Sequence, residues 1–220
     1  MPRTAVKRSK PRWRRRKDAR PEEIVMAALA VFGERGFAAT KLEDVARKAG
    51  VTKGTIYLYF PSKDALFKAL VRETIVPVLA KGETIAQAHT GSARALFDKL
   101  IREYWRLVGE TALSGIPRLM IAEARNFPAL ARFYYEDVVT RGHRLMAGVL
   151  ERGIKAGEFR PVNVAIATKL AMAPLLHAVV ATKAFAACMP EGFDIDKYLD
   201  THIDLYLHGI ATDHADSRAD

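Results

Sequence analysis

Cysteine is almost absent from the chain, since Cys188 is the single thiol among 220 residues. An intrachain disulfide is therefore excluded, and the composition favours the reducing cytoplasm as the site of action. A membrane span is not expected either, because the longest uncharged apolar stretch, residues 170–182, has 13 residues and a bilayer requires about 20. No apolar segment directly follows the basic amino terminus, so we predict no signal peptide.

Motifs that carry enzyme or metal chemistry are also missing. The six histidines form no H-x-x-x-H pair, and none adjoins the cysteine, so we predict no metal site. The sequence has neither a glycine-rich phosphate loop nor a nucleophile elbow. We therefore predict no cofactor and no catalytic residue, and an all-helical enzyme stays only as a remote alternative.

Negative charge is scarce in the first third of the chain. The whole sequence has 35 Lys and Arg against 25 Asp and Glu, a net charge of +10. Residues 1–72 hold 18 basic and 7 acidic side chains, whereas the remainder holds 17 and 18. This asymmetry predicts a nucleic-acid-binding module joined to a nearly neutral one.

The first 20 residues form a basic arm with little to bury, and we predict that it is disordered in isolation. Such an arm can follow phosphates or enter a minor groove. The candidates for these contacts are Arg14, Arg15 and Arg16. A solubilising tail is the alternative interpretation.

Residues 49–63, AGVTKGTIYLYFPSK, predict the second half of a helix-turn-helix. Gly50 suits the left-handed end of one helix, and Thr52 can cap the next. Ile56 and Phe60 would then point inward. The residues left facing outward or along the rim are Lys53, Gly54, Thr55, Tyr57 and Tyr59.

Three successive helices are predicted to begin with a hydroxyl cap followed at once by lysine. Lysine is mildly unfavourable at the positive end of a helix, so the repetition suggests an anion near these helix starts. Glu43 would complete a capping box at the first start. The three pairs are Thr40 and Lys41, Thr52 and Lys53, and Ser62 and Lys63. The alternative is that lysine tolerates any solvated position.

Helical periodicity covers the rest of the chain, and strand signals are absent. Pro21 begins a helix that Gly36 ends, and helix four starts at Ser62 and is expected to kink or break at Pro77. Further helices are predicted over residues 40–49, 92–109, 117–125, 128–155, 163–188 (bent at Pro174) and 194–207. The fold class is therefore all-α.

The run FGERGFAATKLEDVARKAGVTKGTIYLYFPSKDALFKALV, residues 32–71, resembles the DNA-binding domain of the TetR family of bacterial transcriptional regulators. The resemblance implies an all-helical homodimer with a DNA-binding domain and a larger domain that binds a small molecule. We place the first domain at 21–72 and the ligand-binding and dimerisation domain at 73–210, and the polar tail at 211–220 is predicted to be flexible. The resemblance also implies that Lys53, Gly54 and Thr55 approach base edges, that Tyr57 and Tyr59 meet the DNA backbone and that Lys63 contacts phosphate.

The second domain is expected to hold a largely apolar cavity. Aromatic and methionine side chains at helical spacing can line one, although plain core packing is the alternative. Glu123 and His177 lie on apolar stretches, where a buried polar tip needs a partner. The candidates are Phe97, Tyr104, Trp105, Met120, Glu123, Phe133, Tyr134, Met172 and His177.

These observations predict a repressor that a small hydrophobic molecule releases from a palindromic DNA operator. A ligand-independent regulator or an activator of the same fold is the alternative. The helices predicted over 163–188 and 194–207 are expected to form a two-fold four-helix interface that includes Leu199. Helix four, pivoting at Pro77, is expected to transmit the signal.

Overall fold

The computed structural model describes residues 21–184 and 194–212. Within these ranges the chain is all-α, as predicted, and its one β-type contact is an isolated bridge between Phe159 and Ala211. The described helices are α1 (Pro21–Ala39), α2 (Leu42–Ala49), α3 (Lys53–Tyr59), α4 (Lys63–Ala88), α5 (Ala93–Tyr104), α6 (Gly115–Glu123), α7 (Pro128–Tyr134), α8 (Thr140–Lys155), α9 (Val164–Ala184) and α10 (Ile195–Ile210). The predicted arm with Arg14, Arg15 and Arg16, as well as Cys188, lies outside the described residues.

Two turns of π-helix interrupt the second half of the chain. Trp105–Gly109 follows α5 directly, and Tyr135–Val139 joins α7 to α8. The predicted helix over 128–155 is therefore one helical run with a π-helical insert. A short 3-10 turn, Ala112–Ser114, leads into α6.

Helices α1 to α3 and the start of α4 form a small head around three phenylalanines. Phe37 and Phe67 are fully buried, and Phe32 is 2% exposed. Their ring centroids lie 5.4 to 5.8 Å apart in tilted and edge-to-face contacts. Burying each such side chain stabilises the fold by about 1.5–3 kcal/mol.

Two glycines shape the corners of this head, as the sequence predicts. Gly36 has φ 77° and ends the regular part of α1, and Gly50 has φ 69° and closes α2. A side chain is strained at such angles, so glycine is the residue that allows each turn. The amide of Val51 then donates to the carbonyl of Ala46 at 2.9 Å, which fixes the tight step from α2 to α3.

Two of the three predicted helix caps are confirmed, and one is wrong. Thr52 accepts from the amide of Thr55 and Ser62 from that of Ala65. Thr40 is instead 2% exposed and donates its hydroxyl to the carbonyl of Gly36 at 2.7 Å. The cap of α2 is Lys41, whose amide donates to the Asp44 carboxylate. Helix α1 ends irregularly at Gly36, and the carbonyl of Gly36 needs a hydrogen-bond donor. Thr40 supplies this donor and therefore does not cap α2.

Helix α4 does not break at Pro77, contrary to the sequence expectation. It runs without interruption over 26 residues, roughly 39 Å at 1.5 Å per residue. Its amino-terminal half packs in the head and its carboxyl-terminal half reaches the second domain, with buried side chains that include Leu66, Leu70, Ile75 and Leu79. It forms a continuous helical connection between the two parts.

The hydrophobic core of the head continues past residue 72. One buried cluster joins head residues such as Phe37 to Leu119, Met120 and Phe133 of the second domain. A second cluster lies farther from the head and includes Phe97 and Leu150. The head is therefore packed directly against α6 and α7 as well as tethered by α4.

Helix α9 is apolar enough to resemble a membrane span by composition, with a mean hydropathy of 1.8 over residues 164–182. Ala171, Leu175 and Val179 on one side of it are buried in the second cluster. Core packing thus accounts for part of its apolar character. The exposed side carries Ile166 and Leu170, at 56% and 62% exposure.

Helix α10 differs from the sequence expectation that its apolar stripe faces a partner. Leu199, Ile203 and Leu207 are buried within the same chain. The hydroxyls of Tyr198 and Tyr206 donate to the carbonyls of Pro174 and Ala167 on α9, at 3.0 and 2.8 Å. A charge at Leu199 would therefore disrupt this core, and the exposed apolar surface lies mainly on α9.

Candidate nucleic-acid interface and ligand cavity

Helix α3 presents the face that the sequence predicts. Ile56 is fully buried and Phe60 is 7% exposed, which fixes the rotation of this short helix on the head. Around them Lys53, Gly54, Tyr57 and Tyr59 are exposed and Thr55 is partly buried. Leu58, which the sequence analysis did not select, is the most exposed large apolar side chain of the helix, at 79%.

Side-chain contacts across α2 and α3 order this face. The ammonium of Lys53 lies 2.7 Å from the Glu43 carboxylate and 5.7 Å from the centre of the Tyr57 ring. The Lys53 hydrogen bond lowers the pKa of Glu43. The hydroxyls of Thr52 and Thr55 are 2.9 Å apart. These contacts order the side chains of Lys53 and Thr55 at the surface. An incoming phosphate would replace Glu43 as the partner of Lys53.

Lys41 is the exposed cation at the start of α2. Within the described residues, its ammonium has no hydrogen bond or ion pair. Lys48, later on the same helix, is paired with Glu34 at 3.6 Å. Lys41 is therefore available to bind an anion at this helix start. Thr40 is not available, because its hydroxyl is buried and donates to the carbonyl of Gly36.

Lys63 is placed differently from the prediction. Its ammonium donates to the carbonyls of Phe37 and Ala38, at 2.6 and 3.1 Å, and lies 4.5 Å from the centre of the Phe37 ring. Burial lowers its pKa. The prediction that this side chain faces phosphate is contradicted, because the unsatisfied carbonyls that follow Gly36 draw the ammonium inward.

Glu123 completes this junction from the second domain. Its carboxylate accepts from the amide of Ala38 at 3.0 Å and from the side chain of Asn126 at 3.2 Å, and the Ala38 hydrogen bond lowers its pKa. The prediction that Glu123 lines the cavity is therefore wrong. Beside it, Arg118 donates to the carbonyl of Gly33 at 3.1 Å. Helix α6 thus holds the end of α1 at two points.

A cavity of about 710 Å³ lies within the second domain. Its walls come from α4 to α9, and most of the lining is aliphatic or aromatic. Four predicted residues line it, namely Tyr104, Met120, Tyr134 and Met172. Helix α6 connects this wall to Glu123, which contacts the head. The lining residues Met120, Ile121 and Ala124 lie in α6 or directly after it.

The other predicted lining residues lie elsewhere. Phe97 is fully buried and stacks on Tyr206 with centroids 4.9 Å apart. Trp105 is buried in the same second cluster, and Phe133 packs in the first with Lys68 and Arg72 over its ring. His177 is exposed on α9. Helical spacing identifies inward side chains but does not separate a cavity wall from packed core.

Charged residues of the cavity were missed by the sequence analysis. Glu103 lines it and pairs with Arg106 and Lys81, contacts that lower its pKa to about 2. His143 and Lys169 line it as well, and burial followed by the charge of Lys169 lowers the pKa of His143. Arg132 is the fourth ionisable residue in the lining. No local pattern marks these positions, because each is an ordinary polar residue on an amphipathic helix.

Among the residues that the structure describes, no cluster of three or more His, Cys, Asp or Glu side chains could hold a metal ion. The lining of the cavity is mostly apolar, with a few polar groups. Such a site suits an organic molecule.

Comparison with known proteins gives matches in both halves of the chain. Residues 24–70 match the family described as bacterial regulatory proteins, tetR family, and residues 87–187 match the tetracyclin repressor-like C-terminal domain. The chain is similar to the HTH-type transcriptional repressor KstR2 of Rhodococcus jostii, with 30% identity covering 66% of this chain and 70% of that protein. It is also similar to the fatty acid metabolism regulator protein of Bacillus subtilis, with 26% identity covering 66% of this chain and 74% of that protein.

A solved structure shares the fold. The transcriptional regulator FadR from Bacillus subtilis, in complex with stearoyl-CoA, superposes with a TM-score of 0.75. The match has 22% identity and covers 87% of this chain and 100% of that one. The arrangement of a three-helix head on a larger helical domain is therefore shared.

Proposed function

Because this chain belongs to the tetR family of bacterial regulatory proteins, we propose that it is a repressor that an apolar small molecule releases from a palindromic operator. It is a DNA-binding transcriptional regulator with a helix-turn-helix head. The DNA contacts are assigned to Lys41, Thr52, Lys53, Gly54, Thr55, Tyr57 and Tyr59. Its place of action is the cytoplasm, where the DNA lies.

One observation carries the ligand-responsive part of this proposal: the wall of the cavity and the contact with the head belong to the same helix. Met120 of α6 lines the cavity, and Glu123 of α6 accepts from Ala38 in the head. A molecule that moves the wall therefore moves the end of α1. This route acts beside α4, which continues as a helix through Pro77.

The interface with a second copy of the chain is assigned to the exposed side of α9. Ile166 and Leu170 are separated by one helical turn and are more than half exposed, and Leu205 of α10 is 68% exposed. Apolar side chains repeated along one surface support a subunit interface. In such a two-fold dimer the two copies of α3, the helices assigned to recognise DNA, would lie about 34–36 Å apart, which is the spacing of successive major grooves.

The ligand is assigned to the class of long apolar molecules with an acyl group. The predominantly aliphatic lining supports an alkyl body, and Lys169 and Arg132 offer positive charge to an anionic end. Two similar proteins support the same class, since one is a fatty acid metabolism regulator and one was solved in complex with stearoyl-CoA.

Selection from a random DNA pool tests the DNA part of the proposal. We expect a palindrome whose half-site centres are one helical turn apart, bound with a steep salt dependence. Bound sequences without two-fold symmetry, or binding that shows no sequence preference, would contradict it.

Replacing Lys41 by alanine is expected to weaken binding equally for all sequences and to reduce the salt slope by about one unit, because one phosphate contact is lost. Lys48→Ala is the matched control, since Lys48 is a paired lysine on the same helix. Titrations at several salt concentrations provide both slopes. An unchanged slope in Lys41→Ala would show that this lysine does not meet phosphate.

A further inference from the structure

Two tyrosine hydroxyls inside the cavity have no partner in the protein. Tyr104 and Tyr134 both line it. Among the described residues, neither hydroxyl takes part in a hydrogen bond, although each lies deep enough for burial to raise its pKa, that of Tyr104 to about 12. The part of each ring that remains accessible therefore faces the cavity rather than bulk water.

The same chain satisfies its other deeply placed phenols. Tyr198 and Tyr206 donate to backbone carbonyls of α9 at 3.0 and 2.8 Å. Tyr104 and Tyr134 are only partly buried, so each hydroxyl can gain an acceptor from whatever fills the cavity, whereas phenylalanine would line the same apolar space without a polar group. Tyr104 and Tyr134 thus stand apart from the tyrosines whose role is structural.

Backbone geometry marks the same two residues. Each ends its α-helix and is followed at once by a turn of π-helix, Trp105–Gly109 after Tyr104 and Tyr135–Val139 after Tyr134. A π-helical turn is rare and changes the direction of the side chains around it, and it is found most often at functional sites. Two such turns beside one cavity bring these two hydroxyls into it from different helices.

Burial, followed by the charge of Tyr104 when it is ionised, raises the pKa of Tyr134. Both remain protonated under physiological conditions and so present two O–H donors in an apolar space. Glu103 also lines the cavity and is ionised, with a pKa of about 2. Two O–H donors in apolar surroundings suit a neutral acceptor such as a carbonyl oxygen.

We propose that Tyr104 and Tyr134 jointly bind a neutral carbonyl oxygen of the ligand, as in a ketone, an ester or a thioester. The carbonyl accepts both O–H donors through its two lone pairs. This inference rests on the proposed ligand-responsive function and specifies which polar group the cavity recognises. The alkyl chain of the ligand packs against the apolar walls. The tyrosine pair fixes the position of the carbonyl group and therefore of the chain within the cavity.

Binding of decan-2-one and of 2-methyldec-1-ene tests the proposal, because the alkene replaces the carbonyl oxygen by a CH₂ group of similar size. Each is measured by displacement of Nile red, a neutral apolar dye. We expect the wild type to prefer the ketone by at least about tenfold, a factor that two hydrogen bonds can supply. In the double variant Tyr104→Phe/Tyr134→Phe the ratio of ketone affinity to alkene affinity is expected to fall at least about tenfold, because the ketone then gives up its hydrogen bonds to water without replacement.

Tyr206→Phe is the matched control, because the Tyr206 hydroxyl donates to the carbonyl of Ala167 and the residue is not among those that line the cavity. It should keep the preference for the ketone. Unchanged Nile red affinity shows that each variant retains a folded cavity. An equal preference for the ketone in the wild type and the double variant would overturn the proposal.

The carbonyl stretching frequency of bound decan-2-one gives a second, structural readout. Two O–H donors lower it in the wild type, whereas in the double variant it should rise toward its value in an apolar solvent. An apolar-solvent frequency in the wild type would also overturn the proposal. In that case Nile red would still bind and the broader ligand-binding function would stand, whereas failure of Nile red to bind at all would contradict both.

Discussion

Replacing Leu170 by glutamate is expected to convert the protein to a monomer and to weaken operator binding at least about 100-fold. Leu170 is 62% exposed and Ile166, one turn before it, is 56% exposed. A charge at the centre of this surface would be desolvated without a partner if a second copy packed there. A monomer binds one half-site at a time, so the gain from linking two recognition helices is lost.

Met26→Glu is the matched control for this change. Met26 lies on α1 and is 55% exposed, away from α9. It should remain dimeric by light scattering at micromolar concentration, with operator affinity nearly that of the wild type. A dimer in Leu170→Glu with full operator affinity would show that the subunit interface lies on another surface.

Replacing Gly142 by tryptophan is expected to lower the affinity for stearoyl-CoA at least about 100-fold and to leave operator binding intact. Gly142 is on α8 and lines the cavity. A Cβ built there meets only the end of Leu79, at 3.6 Å, which is an ordinary contact. The indole can therefore enter the cavity and occupy the space of a ligand, since such a side chain contributes roughly 150–250 Å² of buried surface.

Gly148→Trp controls for the substitution itself. Gly148 is on the same helix, and a Cβ there meets nothing within 4 Å. Both changes remove a helical glycine, so the gain in helix propensity, up to about 1 kcal/mol, is similar in the two. Equal loss of stearoyl-CoA binding in both variants would show that the effect does not come from filling the cavity.

The local features of the head could be predicted from the sequence because they depend on neighbouring residues. The glycine corners at Gly36 and Gly50 and the caps Thr52 and Ser62 each involve atoms within five positions along the chain. Periodicity likewise identified the buried face of α3. The family resemblance added the expected arrangement of head and second domain.

Two predictions that the structure contradicts, unlike those for Thr40 and Pro77, involve contacts between distant parts of the chain. Lys63 meets carbonyls 25 and 26 positions away, and Glu123 meets an amide 85 positions away. Burial of Glu123 did require a partner, but the sequence does not show which one. Phe97 and Tyr104 illustrate the same limit of periodicity, since both point inward and only Tyr104 meets the cavity.

Release of DNA by a ligand in the cavity tests the account most directly. Fluorescence anisotropy of labelled operator, titrated with stearoyl-CoA at fixed salt, measures it, with free coenzyme A as the control lacking an acyl chain. We expect stearoyl-CoA to release operator from the wild type and from Gly148→Trp but not from Gly142→Trp, and coenzyme A to release it from none. Operator that stays bound to the wild type at saturating stearoyl-CoA, or release that is equal in Gly142→Trp, would contradict the claim that filling this cavity controls the head.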